Sequence, residues 1–401
     1  MRSLLNSTWI LVLILAGCAT GLEHLEREVM ISSGRVYRLE GEGGSAVLVT
    51  PSLNGRILTS RVGNTESIGF VSIDDIAKGN VITRFNNYGG QDRLWIGPEA
   101  GTHGFFFKPG NQINRELWRV PSHLNTGEMM VESATDSTLN MNRNIALLNY
   151  SGLVFKLRVE REVGLIPSAK LSEELGVTLP TGMSYVGSYS RNTVTNIGDA
   201  SWSRETGLPC IWILGQYNAG PRTTVLAPFK PATEGEEGSP INDDYFGKIS
   251  AETPERIHVL ENAVVFRADA RHEGKLGISP TRSRGLAASF DPDKNLLIIV
   301  KFDLHPDDEL FASFTWEYPN PRPYQGDQLQ IYNADSETHA FYEMESTSPC
   351  RELAPGQKLR HRHASFAFQG DRDALRELAV KVLGVKFDAF KMANAKPQTR
   401  K

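Results

Sequence analysis

Leu153-Val154-Phe155-Lys156-Leu157-Arg158-Val159-Glu160-Arg161 alternates side-chain character along its length. Such a run buries one face only as a β-strand, because successive side chains leave a strand on opposite sides. Other runs of this kind recur over 36–40, 46–50, 57–62, 67–73, 129–133, 145–150, 185–196 and 211–215. They continue over 264–268, 296–302, 310–317, 329–333, 340–346 and 359–368. With 36 Gly and 21 Pro to make the turns between them, the chain reads as all-β and antiparallel. Two helices are expected. A short one lies within 167–176, and a C-terminal one is capped by Asp371, with Leu375, Leu378, Ala379, Val382, Leu383 and Phe387 on one face. The Pro-, Gly- and Glu-rich stretch 228–248 reads as a long surface loop or lid. No internal repeat or break in composition divides the remainder, so 35–390 is expected to be one domain.

The N-terminus follows a different logic. Met1-Arg2 opens with a positive charge, and Trp9-Ile10-Leu11-Val12-Leu13-Ile14-Leu15 is apolar but too short to span a bilayer. Leu15-Ala16-Gly17-Cys18 then places small residues before a cysteine. This is the pattern of a bacterial lipoprotein signal, in which 1–17 are removed and the Cys18 thiol takes up lipid. Residues 18–34 are read as a polar tether and 391–401 as a disordered tail. Ala19 is not the aspartate that would favour an inner membrane, so a lipid-anchored protein of the cell envelope, at the outer membrane, is expected.

The net charge of −4 and the lack of a Lys/Arg stripe argue against a nucleic-acid partner. Beyond Cys18 only Cys210 and Cys350 remain, each beside a proline. They leave room for one disulfide in an oxidising compartment but have no zinc-site spacing. No required cofactor is indicated. Calcium held by carboxylates stays open as an alternative, although no loop has calcium-ligand spacing.

Three stretches carry candidate chemistry. The first is the glycine-rich run 86–104, with Asn87, Tyr88, Asp92, Arg93, Glu99 and His103 as substrate-binding candidates. Its glycines let backbone approach a ligand, and its charges exceed what a plain connection needs. The second is Tyr342-Glu343-Met344-Glu345-Ser346, where period two puts Glu343 and Glu345 on one face as candidate acid/base residues. The third is His361-Arg362-His363. If the last two stretches pair as a hairpin turning near Leu353, Glu345 opposes His361 and Glu343 opposes His363. The plainer alternative is a cross-strand ladder of ion pairs. Lys275, Tyr324, Asp327 and Asn333 extend the binding candidates, because aromatic rings beside amides and charges suit a carbohydrate.

Asn87-Tyr88-Gly89-Gly90 with Trp95, Val194-Thr195-Asn196-Ile197-Gly198, and Phe341-Tyr342-Glu343-Met344-Glu345-Ser346-Thr347-Ser348-Pro349 with Leu353-Ala354-Pro355-Gly356 together resemble the galactose mutarotase-like superfamily. Their order resembles an uncharacterised bacterial lipoprotein branch of it, over 35–384. The resemblance implies a large antiparallel β-supersandwich. It also implies a glutamate base toward an anomeric hydroxyl, matched by Glu345 with Glu343 as the neighbouring alternative. The family's acid is a histidine. Tyr88 stands where one precedes Gly-Gly, and Cys210-Ile211-Trp212-Ile213-Leu214-Gly215 has no match for the second. The expected function is sugar or glycoside binding on a concave sheet face, with epimerase-, lyase- or hydrolase-type chemistry. The alternative is a non-catalytic carbohydrate-binding lipoprotein.

Overall fold

The computed structural model describes residues 21–63, 65–79, 84–232, 238–306 and 309–385. Cys18, the signal segment and the tail 391–401 lie outside them. In chain order the first nine strands are β1 (Tyr37–Glu40), β2 (Ala46–Thr50), β3 (Arg56–Arg61), β4 (Arg93–Gly97), β5 (Met130–Ala134), β6 (Thr138–Leu148), β7 (Val154–Leu165), β8 (Ser184–Asn196) and β9 (Cys210–Asn218). The others are β10 (Thr224–Pro228), β11 (Ile257–Val259), β12 (Ala263–Arg267), β13 (Arg271–Ile278), β14 (Leu286–Asp291), β15 (Leu296–Phe302), β16 (Leu329–Asp335), β17 (Phe341–Thr347) and β18 (Lys358–Gln369). All named pairings are antiparallel.

They form a ten-stranded sheet, β11-β12-β10-β14-β15-β18-β8-β7-β6-β5, a five-stranded sheet, β13-β16-β17-β9-β4, and a three-stranded sheet, β1-β2-β3. The ten- and five-stranded sheets face each other. Tyr217 of β9 donates to Ser365 of β18 at 3.2 Å, and Ser289 of β14 bonds Tyr342 of β17 at 2.6 Å. Alternation then decides the other face of the small sheet. With Ile213, Tyr217, Tyr342 and Met344 turned inward, Trp212, Gln216, Glu343 and Glu345 must point outward.

Several expectations are corrected. The hairpin between the Glu343/Glu345 strand and the His361/His363 strand does not exist. β17 lies between β16 and β9, whereas β18 lies between β15 and β8 in the other sheet. The connection over 348–357 crosses from one sheet to the other instead of reversing beside its own strand. Residues 67–73 and 310–317 make isolated bridges, such as Gly69 with Tyr217 and Leu310 with Cys350, and no named strands.

The tether also differs, because Gly21–Ser33 is a helix. Leu22, Leu25 and Val29, at helical spacing, bury themselves against Ala46, Leu48, Leu58, Ile76 and Tyr88. Glu23 of this helix bonds the buried Arg61 at 3.1 Å. Three apolar residues among many charges were enough to dock a segment that reads as polar. At the other end, Asp371 caps the helix Arg372–Leu383 by accepting from the amides of Asp373 and Ala374. Leu375, Leu378, Ala379 and Leu383 of that helix pack with Phe290, Leu297, Phe366 and Phe368 on the outer face of the ten-stranded sheet.

Candidate functional site

The outward face of the five-stranded sheet forms the floor of a pocket of about 350 Å³. Register explains which side chains meet there. Lys275 lies opposite Tyr332, Tyr332 opposite Glu343, and Glu343 opposite Gln216. One row along, Glu345 lies opposite Leu214, and Leu214 opposite Arg93. Beyond that, Trp212 lies opposite Trp95. The ion pairs cross between the first two rows. Arg93 Nη2 reaches Glu343 Oε1 at 2.5 Å, and Lys275 Nζ reaches Glu345 Oε2 at 2.9 Å. Gln216 Nε2 also donates to Glu343 Oε1, and Trp212 Nε1 to Glu345 Oε2, both at 2.8 Å.

Loops supply the walls. Glu99 follows β4, and its Oε1 accepts from Trp118 Nε1 at 2.8 Å. Trp118 stacks on Trp316 with ring centres 6.4 Å apart. Phe246, from the stretch expected to be a loop or lid, meets Trp316 edge to face. Arg115, at the mouth, bonds Glu273 at 2.5 Å, and Tyr332 donates to the same carboxylate at 2.9 Å. Lys275 Nζ lies 5.0 Å from the centre of the Trp212 ring, close enough for a cation–π contact.

Burial tunes the floor. It pushes the Glu345 carboxyl up to about 7, with the Lys275 ammonium opposing the rise and Glu343 adding to it. Burial also raises Glu99, again against the pull of Lys275 and of the Trp118 and Trp316 indoles. Glu345 presents one oxygen to Trp212 and Lys275, while its buried Oε1 has no partner in the protein. Gln216 Oε1, Trp95 Nε1 and Arg93 Nε are likewise buried and unpartnered. Two acceptors and two donors are therefore left on the pocket lining, where each costs free energy unless a ligand or solvent meets it.

Of the candidates read from sequence, Arg93, Glu99, Lys275, Glu343 and Glu345 meet in this pocket. Asp327 stands behind it, accepting from Tyr245 Oη at 2.6 Å, while the Tyr245 ring lies 5.4 Å from Lys275 Nζ. The others lie elsewhere. Tyr88 is buried with the N-terminal helix. Asn87 and His103 do not line the pocket; His103 stacks with Tyr324, whose hydroxyl bonds the Arg204 carbonyl at 3.1 Å. Asn333 faces inward, where it accepts from the Ala270 amide and donates to the His272 carbonyl. Asp92 is turned between the sheets onto Arg161. The glycines at the start of the 86–104 run serve packing. A Cβ on Gly89, at φ +81°, would lie 2.1 Å from the Phe70 carbonyl oxygen, and the Gly89 carbonyl accepts from Arg56.

His361 and His363 also lie between the sheets. Ser346 Oγ bridges His361 Nε2 at 2.8 Å and His363 Nδ1 at 2.9 Å. Burial lowers both, His363 to about 4. An unfolded histidine binds its proton near pH 6.5, so the unfolded chain takes up protons first as pH falls. The neutral His363 thus supports folding fully above about pH 6.5 and loses that support by about pH 4, a cost of roughly 3 kcal/mol. Urea midpoints followed over that range should fall, and His363→Gln should flatten part of the fall. A wild-type curve parallel to that of the variant would refute this account.

Sequence reasoning missed Trp118, Trp212, Gln216, Phe246 and Trp316 as lining residues. A signal existed for the indoles. Of six tryptophans, Trp95, Trp118, Trp212 and Trp316 line this one pocket. No order along the chain could reveal that convergence. Among the described residues no group of three His, Cys, Asp or Glu side chains is arranged to hold a metal ion, and no helix is long and apolar enough to cross a membrane.

The solved structures that resemble this chain share its β-sandwich. The Slr1438 protein of Synechocystis sp. PCC 6803 is 13% identical, covers 84% of this chain and 96% of its own, and superposes with a TM-score of 0.52. A Klebsiella pneumoniae protein provisionally named an aldose 1-epimerase is 12% identical, covers 86% and 82%, and has a TM-score of 0.51. A galactose mutarotase-like protein from Lactobacillus casei is 12% identical, covers 83% and 100%, and has a TM-score of 0.45. The fold is galactose mutarotase-like. No curated protein matches the sequence. The family model that does match covers residues 26–394, and the chain belongs to that family, DUF6786, a family of unknown function.

Proposed function

We propose that the pocket on the five-stranded sheet binds a sugar and that Glu345 and Glu99 perform acid–base chemistry on it. The observation that carries this reading is the combination on one pocket lining of four indoles with unpartnered buried donors and acceptors. Sugar rings offer C–H faces to aromatic walls, and their hydroxyls both donate and accept. Glu345 Oε1 is the open position for taking a proton from a hydroxyl. Its displacement to about 7 leaves the carboxylate a stronger base than an ordinary glutamate. Glu99, whose carboxyl burial raises so that it gives up a proton less readily than an ordinary glutamate, is placed to act as the acid toward a ring or bridging oxygen while Trp118 bonds its Oε1. Lys275 lies near both carboxylates and offsets charge as the proton moves. The chemistry is of epimerase, lyase or hydrolase type.

The non-catalytic alternative draws support from a specific feature, that no histidine among the described residues lines the pocket. We also place the chain at the cell envelope, anchored through a lipid on Cys18, on the strength of Leu15-Ala16-Gly17-Cys18.

Titration with a panel of mono- and disaccharides, followed by tryptophan emission, tests the reading. At least one sugar should give a saturable change, which Trp316→Ala weakens tenfold or more. A panel without any saturable response, repeated by ligand-observed NMR, would defeat it. Conversion of the bound sugar over time separates enzyme from binder.

A further inference from the structure

Cys210 opens β9, opposite Gly97 of β4. Cys350 follows β17, which is the other neighbour of β9. The two chains stay together past the end of β17. The Ser348 amide donates to the Ile211 carbonyl at 2.9 Å, and the Ile211 amide donates to Ser348 Oγ at 2.9 Å. The Cys350 amide then donates to the Leu310 carbonyl at 2.7 Å, which fixes its position. Both cysteines are unbridged, at 1% and 2% exposure, and burial, then the neighbouring Cys210 thiol, push the Cys350 thiol well above its usual range. Neighbouring thiols on adjacent, hydrogen-bonded segments are the arrangement from which a disulfide can form. If Cys18 carries lipid, no third cysteine remains to compete for either partner.

We propose that Cys210 and Cys350 are a disulfide site, oxidised as the chain folds outside the cytoplasm. This rests on the export reading given above. The two thiols lose two protons and two electrons, and one S–S bond forms. The electrons and protons pass to a disulfide-bearing oxidant, which leaves as two thiols. Because both sulfurs are buried, exchange precedes closure of the core. The bond clasps the start of β9 to the segment after β17, beside Phe314, whose ring centre lies 4.4 Å from that of Trp212 in the pocket floor. It also closes a long loop, the case in which a crosslink restricts the unfolded chain most.

The test uses full-length chain recovered from the envelope fraction, denatured and tagged with maleimide. No tag should enter before reduction and two should enter after it. Reduction should lower Tm by about 5 °C or more, with no shift in Cys210→Ser/Cys350→Ser. Two tags without reductant on envelope-derived chain would overturn the site. If the chain is found only in the cytoplasm, the export reading fails by itself. The pairing is then decided by refolding full-length Cys18→Ala in oxidised and reduced glutathione. Loss of both tags in a monomer supports it, and retention of both overturns it.

Discussion

Glu345→Gln is expected to lower turnover of the pocket's sugar by about 100- to 10,000-fold, the span usual for loss of a positioned general base. Gln keeps the size of the side chain and an acceptor for Trp212 and Lys275, so binding and Tm should change far less than rate. In the wild type the base must be ionised, so rate should climb as pH rises through about 7, where burial has placed Glu345. Lys275→Met removes the cation that opposes this shift, so the rising limb should move to higher pH. Initial rates across pH for the three proteins make the measurement. An unchanged rate in Glu345→Gln would remove Glu345 from the chemistry, and an unmoved limb in Lys275→Met would remove Lys275 from its tuning.

Asp92→Ala should destabilise the fold by about 3–5 kcal/mol, the cost of leaving a buried charge without its partner. Arg161 is fully buried, and its Nη2 meets Asp92 Oδ1 at 2.5 Å while Nη1 donates to Asn192 at 2.9 Å. Two further buried guanidiniums, Arg56 and Arg93, stand nearby. Arg56 bonds only carbonyls, and burial together with its two cationic neighbours depresses its pKa well below the usual arginine range. Among these three cations, Asp92 and Glu343 are the anions in direct contact. Urea denaturation at pH 7 reads the loss. Asp92→Leu/Arg161→Leu should recover much of it, because no lone charge stays buried. A midpoint for Asp92→Ala equal to that of the wild type would refute the account and reopen Asp92 as a ligand residue.

Asp92 and Arg93 are adjacent, yet one anchors the interior and the other lines the pocket. That divergence was not legible in sequence, where both read as charges in a glycine-rich loop. Arg93 begins β4, and the strand's alternation sends its neighbour to the opposite face. The same alternation made Glu343 and Glu345 legible, because two residues on one strand share a face whatever the strand pairs with. It did not extend to His361 and His363. They too share a face, but pairing β17 with β18 required knowing which sheet each strand joins.

What the amino-acid order determined is local. The period-two runs, the Asp371 cap, the common face of Glu343 and Glu345 and the order of motifs follow from steric alternation and short-range hydrogen bonding. The tertiary structure decided which faces meet. It inserted β17 between β16 and β9, put His361 and His363 behind Ser346, and gathered four tryptophans from separate segments around Glu99 and Glu345. The reason is physical. A strand's own pattern encodes which side chains seek burial, whereas strand order is set by the competition of all strands for a single core, and only that competition brings distant residues to one pocket.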